Sequence, residues 1–151
     1  MFGEPVFIDK FDRWSLIPYS FPLEAVYTQK IVLRSSGEQN RNFVSTYDIA
    51  RYVESLTNSS EGESFEVINA IGKDTMSVYE FGLKCCEIYR QVTGKECSVE
   101  RPEFQRQAEE KEFCYESNFD FSIEKDDIEI ATTRLINTIA REYKNGKKYS
   151  A

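Results

Sequence analysis

Histidine is missing altogether from this 151-residue chain. Ser-His-Asp and Cys-His catalysis and every histidine-based metal site are excluded with it. Long apolar runs are missing too: nothing approaches the ~18 consecutive apolar residues that cross a membrane. The opening stretch MFGEPVFIDKFDRW has no basic-then-apolar layout of a secretory leader. Cysteine is scarce, with four residues. Cys85 and Cys86 are adjacent on an expected helix, and Cys97 and Cys114 make no ligand-like pair. They read as reduced thiols of a cytoplasmic protein, and no metal site is expected. Positive charge is in deficit. The net charge of −7 disfavours nucleic acid as a partner, because such binding rests on neutralising phosphates. Residues 1–51 balance six basic against six acidic side chains, so the surplus acid lies beyond, densest over Glu96–Glu129. The basic neighbourhood of Lys30, Arg34, Arg41 and Arg51 suits a small anion rather than a duplex.

What is present reads as an α/β chain with a modest core, 40% hydrophobic and undivided by repeat or linker. Ile31, Val32 and Leu33 form a short buried strand, and Ser35-Ser36-Gly37 turns the chain. Arg41 and the pair Phe43-Val44 lie on a second strand. Asp48, a plausible N-cap, opens a helix with the stripe Ile49, Tyr52, Val53 and Leu56. Pro22 suits the first turn of an earlier helix through Leu23, Ala25, Val26 and Tyr27. Asn58–Gly62 reads as an exposed loop and Phe65–Asn69 as a strand, closed by Gly72. Ser77-x-x-Glu80 is a capping box opening a helix with Val78, Phe81, Cys85, Ile88, Tyr89 and Val92, which stops at Gly94. Ser98-Val99 adds a short extended piece. A last helix from about Asp127 carries Ile128, Ala131, Leu135, Ile136, Ile139 and Tyr143 and ends near Asn145-Gly146.

Several of these segments recur together in one family. Gly37-x-Gln39-x-Arg41-x-Phe43-Val44, followed by Asp48-Ile49-Ala50, resembles the substrate-lobe signature of extended short-chain dehydrogenase/reductases, the NAD-dependent epimerases and dehydratases of nucleotide sugars. Phe65–Asn69 and Ser77–Glu80 resemble the next two elements in order and spacing, and Phe2-Gly3-Glu4-Pro5 resembles the loop leading into that lobe. The resemblance spans residues 1–102 and is looser over 103–151. The wording IVLRSSGEQNRNF is most similar to members placed in surface-polysaccharide pathways.

The resemblance implies a fold class: a small mixed lobe of helices and short strands, occupying 1–151 as one substrate-binding unit without the N-terminal Rossmann cofactor half. The family's cofactor half carries Gly-x-x-Gly-x-x-Gly, whose glycines admit a pyrophosphate to a helix N-terminus. None of the seven glycines here are so spaced. The family's catalytic Tyr-x-x-x-Lys is missing as well. Tyr27 and Lys30 are one residue too close, Tyr47 and Arg51 lack the lysine, and both fall after the family's position. No catalytic residue and no bound cofactor are therefore expected in this chain, and NAD(P) is implied only for a complete enzyme. Whether the chain counts as an enzyme stays open.

For substrate binding the resemblance implies Arg41 on the diphosphate of a nucleotide sugar; the alternative is a surface ion pair with Asp48 or Glu38. Gly3 and Pro5 are implied to shape a loop bordering the site. Asn69 stands at the family's strand-turn asparagine, in a turn-forming or ligand role. Arg106 falls where the family places a second arginine near the nucleotide; otherwise it is a solvated charge. Trp14, with Phe11 and Leu16, lines a pocket or packs in a core. Three functions follow: the substrate-binding part of an NAD(P)-dependent nucleotide-sugar epimerase, dehydratase or reductase, inactive alone; a stand-alone nucleotide-sugar-binding module; or a protein-interaction module. Implied partners are a nucleotide-diphosphate sugar and a Rossmann half or full-length relative, with no nucleic acid and no membrane.

Overall fold

A computed structural model describes residues 1–58, 67–102, 114–118 and 124–149. Three of its helices, α1 (Ile17–Thr28), α3 (Val78–Thr93) and α4 (Ile128–Lys144), pack on one another around a common core. Phe21 of α1 stacks on Phe81 of α3 at 5.9 Å, and Phe43 meets the same ring at 4.9 Å. Ile31, Cys85, Ile88, Ile128, Ile136 and Ile139 complete the buried cluster. Fully burying each such aliphatic side chain contributes about 1.5–3 kcal/mol, so this cluster is the main source of cohesion. A fourth helix, α2 (Thr46–Asn58), buries only Asp48 and Tyr52 of its own residues. Its expected stripe is therefore half covered: Val53 is 55% exposed.

Among the described residues the strands form two separate pairs. β1 (Lys30–Val32) lies parallel to β4 (Ser98–Glu100), with Ile31 opposite Val99. β2 (Asn40–Phe43) runs antiparallel to β3 (Asp74–Ser77), with Arg41 opposite Met76. The Gly37 turn thus hands the chain from one sheet to the other and does not close a hairpin. Gly72 sits where β2 passes closest to the incoming loop: a side chain there would land on the Phe43 carbonyl. Asn42 holds that approach from the other side. Its amide donates to the Gly72 carbonyl at 3.1 Å and accepts the Gly72 N–H at 2.7 Å.

Several sequence expectations hold and others are corrected. The capping box on α3 is complete: the Ser77 hydroxyl accepts the Glu80 N–H at 3.1 Å, and Glu80 accepts the Ser77 N–H at 2.7 Å. Gly94 ends the helix in the left-handed region at φ 71°. α4 starts where expected, with Asp127 as its cap. α1, by contrast, begins at Ile17 rather than at Pro22. Pro18 occupies the first turn, where a missing N–H costs nothing, and Pro22 sits inside the helix, where Pro18 loses its usual carbonyl partner. Burial of Tyr19 through Leu23 outweighs that lost bond.

The strand expected over Phe65–Asn69 is also corrected. Phe65 lies outside the described residues, and Val67–Asn69 belongs to no strand. The Asn118 side chain takes the place of a strand partner there. Its oxygen accepts the Asn69 N–H at 2.8 Å and its nitrogen donates to the Val67 carbonyl at 2.7 Å, the pattern of a parallel bridge made by a side-chain amide. Trp14 is core: it stacks on Tyr149 at 4.9 Å, with Phe11 edge-on at 5.0 Å. No helix among the described residues is long and apolar enough to cross a membrane.

The caps carry a pH dependence. Hydrogen bonds from the Ser77 backbone and side chain hold the Glu80 carboxyl below its usual range, and Lys73 does the same for Asp127. Both folded values lie below the unfolded ones, so this stabilisation is complete above about pH 4–4.5 and is lost as pH falls through the folded values. Urea unfolding should therefore show stability falling below about pH 4.5, and the Glu80→Gln variant should show a shallower fall; equal slopes would contradict the assignment.

Candidate functional site

The candidate site grows from the Gly37 turn. Gly37 adopts φ +74°, and a side chain there would strike Leu33 and press on Tyr79. The turn is fastened to the start of α3: Tyr79 N–H donates to the Gly37 carbonyl at 2.9 Å and Val78 N–H to Gln39 at 3.2 Å. Arg101 locks it from outside. Its guanidinium lies 3.8 Å over the Tyr79 ring, donates to the Ser36 carbonyl at 3.1 Å, and stands 3.7 Å from Glu38.

That arrangement decides the surroundings of Arg41. The two carboxylates that might have neutralised it are held by other arginines: Glu38 by Arg101, and Asp48 by Arg51 at 2.8 Å. The surface ion pair considered for Arg41 is therefore not formed. Arg41 is exposed on β2 and donates to the neutral Gln39 side chain at 2.9 Å. Among the described residues it makes no ion pair. Tyr115 steadies the strand beside it, its hydroxyl donating to the Asn40 carbonyl at 3.0 Å. Among the described residues the cation thus has only a neutral partner, on a fixed backbone, an arrangement in which a guanidinium can grip a phosphate through two donors.

Gly3 reaches the same region through backbone pairing. Phe2 bridges to Ser45, with Phe2 N–H on the Val44 carbonyl at 2.9 Å and Thr46 N–H on the Phe2 carbonyl at 2.8 Å. Gly3 has no side chain because Thr46 fills that space. It borders a cavity of 340 Å³ whose other walls include Ser45, Tyr47, Asp126 and Arg134. Pro5, Arg41 and Asn69 are not among the lining residues of that cavity. Pro5 is half-buried two positions beyond Gly3. Asn69 is exposed, and its backbone is held by Ser117 and Asn118. Arg106 lies outside the described residues. The segments carrying Gly3, Arg41 and Asn69 are thus adjacent through the Phe2 bridge and the Asn42–Gly72 clasp. The three residues themselves do not converge on one cavity.

The group that sequence reading missed is buried beneath them. Ser45, not Asp48, is the residue that caps α2: its hydroxyl accepts the Asp48 N–H at 2.8 Å, and Asp48 returns the contact to the Ser45 N–H at 3.3 Å. Asp48 is fully buried. It also accepts from Arg51 at 2.8 Å and from the Asp126 N–H at 3.1 Å. Asp126 in turn takes Arg51 at 3.0 Å and the Ser45 hydroxyl at 2.6 Å. Hydrogen bonds to Asp48 and then Asp126 push the Arg51 guanidinium up, so it stays charged. The Ser45-x-x-Asp48 spacing was a usable signal for the cap; nothing in sequence pointed to Asp126.

Among the described residues no cluster of three or more acidic or cysteine side chains could hold a metal. Three of the helix starts do not suit a dinucleotide pyrophosphate either. α2, α3 and α4 begin with amides already engaged by Asp48, Glu80 and Asp127, and a carboxylate there repels the anion that free amides would attract.

The described residues form a small mixed α/β unit, with four α-helices and short strands among them, that matches part of a short-chain-dehydrogenase-like fold. One solved structure that it resembles is a UDP-glucuronic acid 4-epimerase from Bacillus cereus, in complex with NAD. The two share a TM-score of 0.56 at 17% identity, over 93% of this chain and 42% of the epimerase. The likeness establishes the fold, and the chain spans less than half of that enzyme's length. No protein-family profile matches the sequence, and no curated protein sequence does.

Removing the buried carboxylate tests the network. Asp48→Ala leaves Arg51 and two backbone N–H groups short of an acceptor, so the urea midpoint should fall by the equivalent of about 3–5 kcal/mol. A loss under about 1 kcal/mol would mean the network is dispensable.

Proposed function

We propose that the chain is the substrate-binding portion of an NAD(P)-dependent enzyme acting on a nucleotide-diphosphate sugar, by epimerisation, dehydration or reduction. Hydride chemistry belongs to a cofactor half that this chain does not supply. Its own role is grip: Arg41 binds the diphosphate, while the Gly3–Pro5 loop and the Asn69 turn border the ligand. The observation that carries the reading is Arg41 itself, exposed on β2 with a neutral partner, at the position the family motif gives to the diphosphate arginine. Further support comes from the likeness to part of an epimerase whose printed ligand is NAD and whose named substrate is UDP-glucuronic acid. Arg106 is a further nucleotide contact on this reading.

A packing partner is part of the same proposal. Val6 and Phe7 are 87% and 68% exposed, and α2 leaves Tyr47 67% exposed. Apolar surface of this kind is what an adjoining half or a full-length relative would cover. The same surface is the observation that favours the second reading, a protein-interaction module that binds no sugar.

Calorimetry separates them. Titrating UDP-glucuronic acid into the chain should give weak saturable binding, weakened roughly 30-fold, or about 2 kcal/mol, by Arg41→Ala. No binding at millimolar ligand, or an unchanged Kd in the variant, would overturn the assignment. NAD titrated into the chain alone should give no binding; measurable affinity would contradict the division of labour.

A further inference from the structure

The return from α3 into β4 brings two thiols together. Cys86 lies midway along α3, and Gly94 ends the helix so that Cys97, just before β4, comes back against it. The Cys86 S–H donates to the Cys97 sulfur at 2.8 Å, and the Cys97 thiol faces the Ser98 carbonyl at 3.9 Å. Non-bonded heavy atoms ordinarily stand about 3.5–4.0 Å apart, and a disulfide is about 2.05 Å long. The two sulfurs are therefore within about 1 Å of bonding distance. The other two cysteines are placed differently: Cys85 is fully buried on the core side of α3, and Cys114 is exposed.

A reagent can reach the pair. Cys97 is half-exposed, and both cysteines are among the residues lining a shallow surface pocket of 190 Å³ shared with Leu83, Glu87, Arg90 and Glu96. We infer that Cys86 and Cys97 form a thiol-modification site, closed to an intramolecular disulfide by exchange with a low-molecular-weight disulfide such as glutathione disulfide. The Cys97 thiolate attacks one sulfur of the small disulfide and expels its first thiolate. Cys86 then attacks the Cys97 sulfur of the mixed disulfide and expels the second. Two protein thiols are oxidised, one small disulfide is reduced to two thiols, and these carry away the two protons. Burial raises both protein thiols above the ordinary range, so the exchange is slow and needs prolonged contact with the oxidant.

The product would pin the middle of α3 to the residue just before β4. This inference is independent of the substrate reading: it concerns the face between α3 and β4 and requires no sugar.

The full chain, reduced and freed of reductant, is incubated with glutathione disulfide, alkylated under denaturing conditions, and digested with trypsin. Cleavage after Arg90 and Lys95 separates the two cysteines, so a cross-link survives as one joined peptide pair. Tandem fragmentation then distinguishes Cys86 from its neighbour Cys85. The expected result is a Cys86–Cys97 link in monomeric protein, lighter by two hydrogen atoms and reversed by dithiothreitol. The exposed Cys114→Ser variant should give the same link, which rules out a route through Cys114. Recovery of Cys86 and Cys97 both alkylated, or of Cys97 carrying glutathione while Cys86 stays alkylated, would overturn the proposal. The wild-type map decides this whether or not a Cys86→Ser variant folds.

Discussion

The buried carboxylate of Asp48 is the constraint on which the rest of the site depends. Taking a carboxylate out of water costs several kcal/mol unless its lone pairs are satisfied. Here the donors come from three places: the Ser45 backbone, the Arg51 side chain and the Asp126 backbone. Meeting that requirement fixes the entry of α2, the end of the segment that pairs with Phe2, and the approach of the chain to α4. Removing any one donor leaves charge uncompensated, so the three segments are held as a unit.

This arrangement also explains why Arg41 is available. A chain with net charge −7 has carboxylates to spare, and an exposed arginine would ordinarily find one. Two nearby acids are withdrawn instead. Asp48 turns inward to Arg51, and Glu38 is drawn to Arg101, which is itself stacked on Tyr79. The Gly37 turn lies between these pairs. Because it hands the chain from the β1–β4 pair to the β2–β3 pair, β2 emerges on a backbone fixed at both ends, by α3 and by the Asn42 clasp on Gly72. Among the described residues no carboxylate neutralises Arg41, and the β2 backbone that carries it is fixed, which limits the ordering cost of binding an anion.

Local features of this fold were legible in the sequence, and pairings between distant segments were not. The Ser77–Glu80 box, the Gly94 stop and the stripe of α4 each depend on residues within a turn or two, so reading them required no partner. β1 and β2 were legible as strands, yet the choice of β4 and β3 as their neighbours rests on segments more than thirty residues away. Pro22 was misread because Pro18 offered an equally good first turn and only burial of the intervening residues separates the two. Phe65–Asn69 read as a strand from its residue types; over Val67–Asn69 the backbone is bonded as in a strand, but the partner is the side-chain amide of Asn118, which the sequence did not reveal. For the site, the motif around Arg41 was visible. The pairings that leave Arg41 free were not, since Arg101 and Asp126 join through the fold alone.

The central claim is that this unit is the substrate lobe of a larger nucleotide-sugar enzyme, completed by a cofactor half. The measurement that tests it most directly is the DNA sequence immediately upstream of the Met1 codon in its source. The account predicts a continuous or adjoining frame encoding Gly-x-x-Gly-x-x-Gly after a first strand and, further on, Tyr-x-x-x-Lys. An unrelated upstream sequence with its own promoter before this chain would contradict it and give the lead to a stand-alone binding module.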